Sequence, residues 1–131
     1  MVRPGHPLLE EPSPSIETLA TLEWIAPPAL VPARKFFDDF FEESGSTTPT
    51  RVIECSSLVA TRGLLLQSDR AALLSPLQVR EDVEAGELAV LVDAIPNSGR
   101  SIGLTTRENW EPTMVQAEFD AIIRELAEDI G

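Results

Sequence analysis

Several features on which common protein functions depend are missing from this sequence. Cys55 is the single cysteine, His6 is the single histidine, and tyrosine is absent. One cysteine allows no internal disulfide and excludes a cysteine-rich metal site, so a reducing, cytoplasmic environment fits best. No apolar run approaches the roughly 18 residues that span a bilayer, and the opening residues lack the apolar core of a signal peptide. We therefore expect neither membrane insertion nor export.

Basic residues are also scarce. Ten Lys and Arg stand against 22 Asp and Glu, which gives a formal net charge of −12 over 131 residues. A surface of this charge repels polyanions, so we do not expect the chain itself to bind nucleic acid or an anionic membrane. Hydrophobic residues make up 43% of the sequence, which is enough for one folded domain with a core.

Proline divides the chain into a loop-rich opening and a more regular remainder. Most of the 11 prolines lie within the first 32 residues, which predicts turns, extended chain and only short regular pieces there. From residue 22 onward, short apolar runs alternate with longer amphipathic stretches. The runs predict strands at residues 22–26, 51–54, 71–74, 88–92 and 101–107, with a turn at 96–99.

Two of the amphipathic stretches follow the first two predicted strands. The first predicts a helix over 32–44, with phenylalanines on one face, acidic residues on the other and Gly45 at its end. The second predicts a largely apolar helix that begins with Ser56 as its N-cap and runs to about residue 67.

Two capping boxes predict two further helix starts. One begins at Ser75, with Pro76 at the first helical position and Gly86 as the helix end. The other begins at Thr113 and opens the last helix. The apolar stripe of that helix consists of Val115, Phe119, Ile122, Ile123 and Leu126.

The order of these elements predicts the fold class. Strands that alternate with helices form a mainly parallel sheet with helices on both faces. We therefore expect an α/β protein with a three-layer α/β/α architecture.

Catalytic and metal-binding patterns are weak. A nucleophile pair would need Cys55 and His6, but His6 lies in the proline-rich opening, where we expect it to be mobile and exposed. Adjacent acidic residues, such as Asp38 and Asp39, are better explained as a solvated helix face than as acid/base catalysts. No glycine-rich phosphate loop joins a strand to a helix. We expect no catalytic residue, no metal site and no cofactor.

Small groups at the carboxyl ends of the predicted strands are the better candidates for binding. In open α/β sheets, ligands bind just beyond these ends, near helix N-termini. The first three junctions place there Pro27, Pro28 and Ala29, then Ser56 and Ser57, then Ser75. Helix capping alone would also explain the serines. Arg34 and Arg107 would suit an anionic ligand, although surface ion pairs explain them equally well.

Several short segments, spread over nearly the whole chain, carry a family resemblance. They are residues 2–8, 19–20 and 24–25, Arg34 with its phenylalanine-rich helix, and residues 52–57, 62–69 and 102–107. Their order and spacing resemble those of the later part of the effector-binding domain of LysR-type transcriptional regulators. The last two segments are most similar to the branch that includes regulators of sugar-binding-protein and aromatic-acid catabolic genes.

The resemblance implies a type-II periplasmic-binding-protein-like fold, in which crossing strands join two α/β lobes around a small-molecule effector. Such regulators sense a metabolite, change how an oligomer sits on promoter DNA, and catalyse no reaction. The expected effector is a sugar, a sugar acid or an aromatic acid. Carried over by position, the cleft of the second lobe would be lined by Pro27, Pro28, Ala29, Ser56, Ser57 and Ser75.

In this interpretation the chain is a partial effector-binding domain over residues 1–131. Residues 1–21 are the crossover and proline-rich entry, residues 22–100 are the second lobe, and residues 101–131 are the return strand and terminal helix. The helix-turn-helix with which family members begin is absent from the sequence. We therefore expect contact with DNA only through a domain that this chain does not contain.

The stripe on the last helix has a consequence for assembly. In the family this helix would cover a first-lobe sheet that the sequence lacks. An apolar surface of that size seldom stays in water, so we expect the helix to fold back on its own sheet or to pack against a second copy, giving a homodimer.

Two other classes of function stay open at this level. The chain is alternatively an interaction module that pairs with a full-length regulator. A small α/β enzyme that uses carboxylates is the least favoured, since it needs two acidic side chains in a deep pocket.

Overall fold

The computed structural model describes residues 1–92, residue 95 and residues 103–128. The chain divides into two compact units, Met1–Ser98 and Gly99–Gly131. Each unit is described by itself below.

The first unit is built around three short parallel strands. They are β1 (Trp24–Ala26), β2 (Val52–Glu54) and β3 (Ala71–Ala72), in the order β2–β1–β3. Beyond β3, Met1 exchanges two backbone hydrogen bonds of 2.9 and 3.0 Å with Ala72. Val2 in turn forms an antiparallel bridge with Ala89. The prediction of a mainly parallel sheet is confirmed.

The helices of this unit are short. Within the proline-rich first 32 residues, this agrees with the prediction of only short regular pieces. They are α1 (Ile16–Thr21), α2 (Pro32–Glu42), α3 (Leu58–Leu66) and α4 (Arg80–Glu84), with 3₁₀ turns at Pro7–Glu10 and Pro76–Gln78. Strands and helices interleave along the chain, so the predicted α/β class is confirmed.

The sheet has a core on each face because successive side chains of a strand point to opposite sides. Trp24 and Ala26 pack with Phe37 and Phe41 of α2 on one face. Ile25 packs with Leu65 of α3 and with Val79 on the other. The connection from β1 to β2 carries α2, and the connection from β2 back across β1 to β3 carries α3. Because right-handed crossovers that run in opposite directions place their helices on opposite faces, α2 and α3 lie on opposite sides of the sheet. The order β2–β1–β3 therefore accounts for the layers.

Aromatic contacts hold the α2 face together. The ring of Trp24 meets the rings of Phe37 and Phe41 edge to face, with centroid distances of 5.4 and 5.5 Å. The indole N–H of Trp24 donates to the Leu19 carbonyl at 2.9 Å. Burying the indole therefore leaves no polar atom unsatisfied, and it fixes α1 and α2 against β1.

The end of α2 confirms the predicted stop. Gly45 has a φ of +77°, and the Ser46 amide donates to the Phe41 carbonyl at 3.0 Å. This left-handed turn suits glycine because it has no Cβ. The helix itself ends at Glu42, two residues earlier than expected.

The later strands are less regular than the sequence predicts. In the stretch 88–92, the structure assigns pairing only to Ala89, and residues 103–107 form no strand. The turn at 96–99 and residues 101–102 lie outside the described residues. Pairing partners come from distant parts of the chain, so an apolar run alone cannot establish a strand.

The expectation that His6 is exposed in a mobile opening is wrong. Its side chain is 2% exposed. Its Nδ1 accepts from the Leu8 amide and its Nε2 donates to the Asp69 carbonyl, both at 3.2 Å. Arg3 pairs with the Asp69 carboxylate at 2.6 Å. These contacts fix the opening segment beside the start of β3.

A row of charges closes the amino edge of the sheet. Glu23, Arg51 and Arg70 each precede a strand by one residue and lie in one register row. The Glu23 carboxylate pairs with Arg51 at 3.3 Å and with Arg70 at 2.6 Å. One carboxylate therefore joins the starts of all three strands.

The second unit contains an irregular segment, residues 103–113, and helix α5 (Met114–Glu128). The predicted capping box at its start is confirmed: the Thr113 amide donates to the Gln116 side chain at 2.9 Å, and the Gln116 amide donates to the Thr113 hydroxyl at 3.4 Å. Most of the predicted stripe is exposed, with values of 75% for Val115, 63% for Phe119 and 57% for Leu126.

Candidate functional site

Three of the predicted loops follow three neighbouring parallel strands. Pro27 follows β1, Cys55 follows β2, and Ser75 lies three residues beyond the end of β3. Because the carboxyl ends of parallel strands lie at one edge of the sheet, the three loops share that edge. The Cys55 amide donates to the Ala26 carbonyl at 2.9 Å, so the first two loops are in direct contact at their bases.

The two serines after β2 have different roles. Ser57, and not Ser56 as the sequence suggested, is the N-cap of α3: its hydroxyl accepts from the Ala60 amide at 3.3 Å. Either serine fits the capping pattern, and only the position of the chain after β2 decides between them. The Ser56 hydroxyl takes no part in the cap and is exposed, so it is available to a ligand.

Ser75 begins a tighter turn than predicted. Its amide donates to the Gln78 side chain at 3.4 Å, but the residues that follow form the 3₁₀ turn Pro76–Gln78 and then α4. Val79, which links the two, is buried in the core on the α3 face. The single helix expected from the sequence is therefore divided in two at Val79.

Apolar side chains surround these loops and remain in contact with water. Leu30 is 99% exposed and Val59 is 81% exposed. Smaller exposed fractions are found for Val31, Leu58 and Leu77. All five lie just beyond the carboxyl ends of β1, β2 or β3, and we call them the apolar rim. Exposed apolar side chains at one edge of a sheet are suited to contact with a ligand or a protein.

The guanidinium of Arg34 contacts this edge directly. Its Nη1 donates to the Pro27 carbonyl at 3.3 Å and to the Glu54 carboxylate at 2.9 Å, and its Nε donates to Asp38 at 3.0 Å. Hydrogen bonds and charge from Asp38, with a smaller contribution from Glu54, raise the pKa of the guanidinium above its usual value. The surface-ion-pair interpretation of Arg34 is therefore correct in this structure, and the charge is already neutralised.

The other predicted arginine lies in the second unit. Arg107 borders an open hollow of about 510 Å³, whose lining also includes Thr106, Trp110, Gln116 and Phe119. Trp110 and Phe119 are themselves 38% and 63% exposed. The hollow is therefore a shallow surface beside the apolar stripe of α5.

The described side chains offer little for catalysis or metal binding. Among them, no group of three or more His, Cys, Asp or Glu is placed to hold a metal ion. The half-buried Cys55 thiol lies 3.5 Å from the Ser57 carbonyl, and His6 is committed to Leu8 and Asp69. Within the described ranges, no helix is both long and apolar enough to cross a membrane.

The family profile of the LysR substrate binding domain matches residues 1–127. The chain belongs to this family. The family resemblance seen in the sequence is thereby confirmed, and the parallel sheet with helices on both faces agrees with the periplasmic-binding-protein-like fold that it implies.

The curated relatives are transcriptional regulators. The chain is 34% identical over 126 residues to the HTH-type transcriptional regulator GalR of Pseudomonas putida, covering 96% of this chain and 32% of that protein. It is 30% identical over 135 residues to the HTH-type transcriptional regulator PcaQ of Agrobacterium fabrum, covering 99% of this chain and 42% of the relative. The chain thus spans a third to two fifths of the length of these relatives. No solved structure matches it significantly.

Part of this edge was not predictable from the sequence. Glu54 carried no signal, because its partner Arg34 is 20 residues away. The apolar rim was visible only as hydrophobic residues such as Leu30 and Val59, which a pattern assigns to the core. Leu30, a hydrophobic residue in the loop that begins with the proline pair after β1, is a sequence signal that would have pointed to the apolar rim.

Proposed function

We propose that the chain is the effector-sensing part of a LysR-type transcriptional regulator and that its effector binds at the carboxyl edge of the sheet. The observation that supports this most strongly is the parallel order β2–β1–β3, which places the three predicted loops side by side. The proposed contacts are Pro27, Pro28, Ala29, Ser56, Ser57 and Ser75.

The chemistry of this edge suits a small organic molecule. Exposed hydroxyls such as that of Ser56 can donate and accept hydrogen bonds, and the amides that begin α3 point out of the helix. The apolar rim offers surface for the carbon skeleton of a ligand. We infer that the effector is a sugar, a sugar acid or an aromatic acid, and that it is bound without chemical change.

The regulator as a whole would then act in the cytoplasm on promoter DNA. The acidic composition argues against DNA contact by this chain, so contact would come through a helix-turn-helix domain of the same polypeptide or of a partner. Effector binding would close an inter-lobe cleft and so modulate transcription. The unit that contains the parallel sheet would supply one wall of this cleft.

Thermal-shift measurements with the three ligand classes test the proposal. A ligand that binds only the folded chain stabilises it by about 2.7 kcal/mol at a concentration one hundred times its Kd. Ser56→Ala should abolish the shift without lowering the melting temperature of the free protein. Ser15→Ala, which removes the N-cap of α1 outside the three loops, is the control and should leave the shift intact. No shift with any class would contradict the proposal.

The stripe of α5 supports a second, compatible proposal. Val115, Phe119, Ile122 and Leu126 are between 48% and 75% exposed, and an apolar helix face of this length is stabilised by a protein partner. We propose that it packs against a second copy, or against a full-length regulator if the chain acts as an interaction module.

Sedimentation and pull-down separate these two partners. A dimer that dissociates when Phe119 is changed to Lys supports self-association. Capture by a full-length relative, lost in the same variant, supports the interaction module. A monomer that captures no relative would contradict both.

A further inference from the structure

We propose that Arg34 is a positioning residue that couples the loop after β1 to the loop after β2. We call these two loops the first and second arms of the effector site, and we propose that Arg34 sets the distance between them. That these loops bind an effector rests on the proposed function; the coupling itself rests on the contacts of one guanidinium group.

The guanidinium of Arg34 contacts both arms at once. The Pro27 carbonyl at 3.3 Å belongs to the first arm, and the Glu54 carboxylate at 2.9 Å ends the strand that leads into the second. Asp38, one turn later in α2, accepts from Nε at 3.0 Å. The side chain thus links α2, the end of β1 and the end of β2.

This side chain is held in place as well as bonded. It is 18% exposed, and its guanidinium carbon lies 5.7 Å from the centre of the Phe37 ring, which is fully buried in the core. A planar guanidinium presents its donors in a rigid fork, whereas a lysine ammonium is a single point charge on a flexible stem. Arginine can therefore hold two acceptors at a fixed separation.

Arg70 provides a matched comparison at the opposite edge. Its side chain is 27% exposed and pairs at 2.6 Å with Glu23, which precedes β1. Like Arg34, it joins two neighbouring parallel strands. Unlike Arg34, it lies at the starts of the strands and contacts none of the predicted site loops.

Exchange rates of backbone amides can be measured for the two edges separately, and the measurement needs no ligand. At the carboxyl edge, the Cys55 amide donates to the Ala26 carbonyl at 2.9 Å and the Val31 amide to the Pro28 carbonyl at 3.1 Å. At the amino edge, the Trp24 amide donates to the Arg51 carbonyl at 2.9 Å. These three amides report on local opening of their own edge.

The variants to compare are Arg34→Met and Arg70→Met. In Arg34→Met, exchange at Cys55 and Val31 should accelerate about tenfold or more relative to Trp24, because all three hydrogen bonds of the guanidinium are lost at this edge. In Arg70→Met, exchange at Trp24 should instead accelerate relative to exchange at Cys55 and Val31. Equal acceleration at both edges in Arg34→Met, or none at Cys55 and Val31, would overturn the positioning role.

Glu54→Ala keeps the test decisive if Arg34→Met does not fold. Glu54 is half exposed, so its loss disturbs little packing. Exchange at Cys55 should accelerate, while exchange at Val31 should stay close to wild type because Arg34 keeps its contacts with Pro27 and Asp38. An unchanged rate at Cys55 would contradict the proposed link to the second arm.

Ligand affinity in the same variants tests whether the contacts of Arg34 matter for the proposed effector site. For a sugar, sugar acid or aromatic acid that stabilises the wild-type chain, Arg34→Met should raise the Kd about tenfold, and Arg70→Met should leave it unchanged. Unchanged affinity in Arg34→Met would overturn its role in the site. A failed ligand screen counts against the proposed function alone, since the exchange measurements need no ligand.

Discussion

The two edges of the parallel sheet are formed by the same three strands but are completed by different chemistry. At the amino edge, Glu23 pairs with both Arg51 and Arg70, and the opening segment covers the start of β3 through His6 and Arg3. At the carboxyl edge, the loops expose serine hydroxyls and the apolar rim, which includes Leu30 at 99% exposure.

We propose that this difference separates stability from binding within the first unit. Polar groups at the amino edge have partners inside the chain, so that edge holds the strands together. At the carboxyl edge, residue Ser56 and the apolar rim are exposed to solvent. In a member of the LysR substrate-binding family, we expect substitutions at the first edge to change stability and substitutions at the second to change ligand binding.

The largest effect should come from His6 at the amino edge. His6→Ala removes a buried ring and leaves the Asp69 carbonyl and the Leu8 amide without their partners. The free energy of unfolding should fall by about 2–4 kcal/mol. Urea denaturation measures this directly. A loss below about 1 kcal/mol would show that the opening segment is not part of the folded edge.

In a sample whose first residue is Met1, its free amino group should make the same region sensitive to pH. Burial lowers its pKa from 8.0 to about 6, and the group donates to the Ala72 carbonyl at 2.9 Å. Between these values the unfolded chain binds more protons, so stability should fall as the pH decreases from 8 to 6. The difference should reach about 2–3 kcal/mol.

A blocked amino terminus is the control for this pH dependence. Acetylation of Met1, or one added residue before it, replaces the titrating amine with an amide. The blocked chain should lose this part of the pH dependence. Identical stability curves for free and blocked chains would contradict the assigned burial of the amine.

The serines after β2 should divide the carboxyl edge into structural and binding roles. Ser57→Ala should lower the free energy of unfolding by about 1 kcal/mol, because it removes the N-cap of α3. Ser56→Ala should change it by less than about 0.5 kcal/mol, as an exposed hydroxyl without a structural partner. Thermal denaturation of both variants checks the difference. An equal loss would mean that the cap is shared.

The smallest effect should come from Glu23, whose ion pairs are partly exposed. Glu23→Ala should lower the free energy of unfolding by roughly 0.5–1 kcal/mol at low salt, and by less as the salt concentration rises. Lys35→Ala, which removes an exposed pair within α2, is the control and should have less effect. A loss that does not depend on salt would show that Glu23 acts through packing.

Local chemistry made much of this fold predictable. The proline pair at 27–28 ends β1, the phenylalanine pattern predicts α2, and the capping box at Thr113 starts α5; the structure confirms each. These signals act within a few residues of one another. The placement of the three predicted loops at the carboxyl edge of the sheet followed from the alternation of strands and helices.

Features that depend on distant partners were not predictable. His6 is buried because of Asp69, 63 residues away, and Arg34 reaches Glu54 across 20 residues. The choice of Ser57 over Ser56 as the cap depends on how the chain leaves β2. The assignment of Ser56, Ser57 and Ser75 to effector contact stays a prediction.

Ligand-induced stabilisation in paired variants tests the central claim most directly. A sugar, sugar acid or aromatic acid that raises the melting temperature of the wild-type chain should do so equally in Arg51→Met, which alters the amino edge, and should have no effect on Ser56→Ala. A full shift in Ser56→Ala, or its loss in Arg51→Met, would place the binding site away from the carboxyl edge of the sheet.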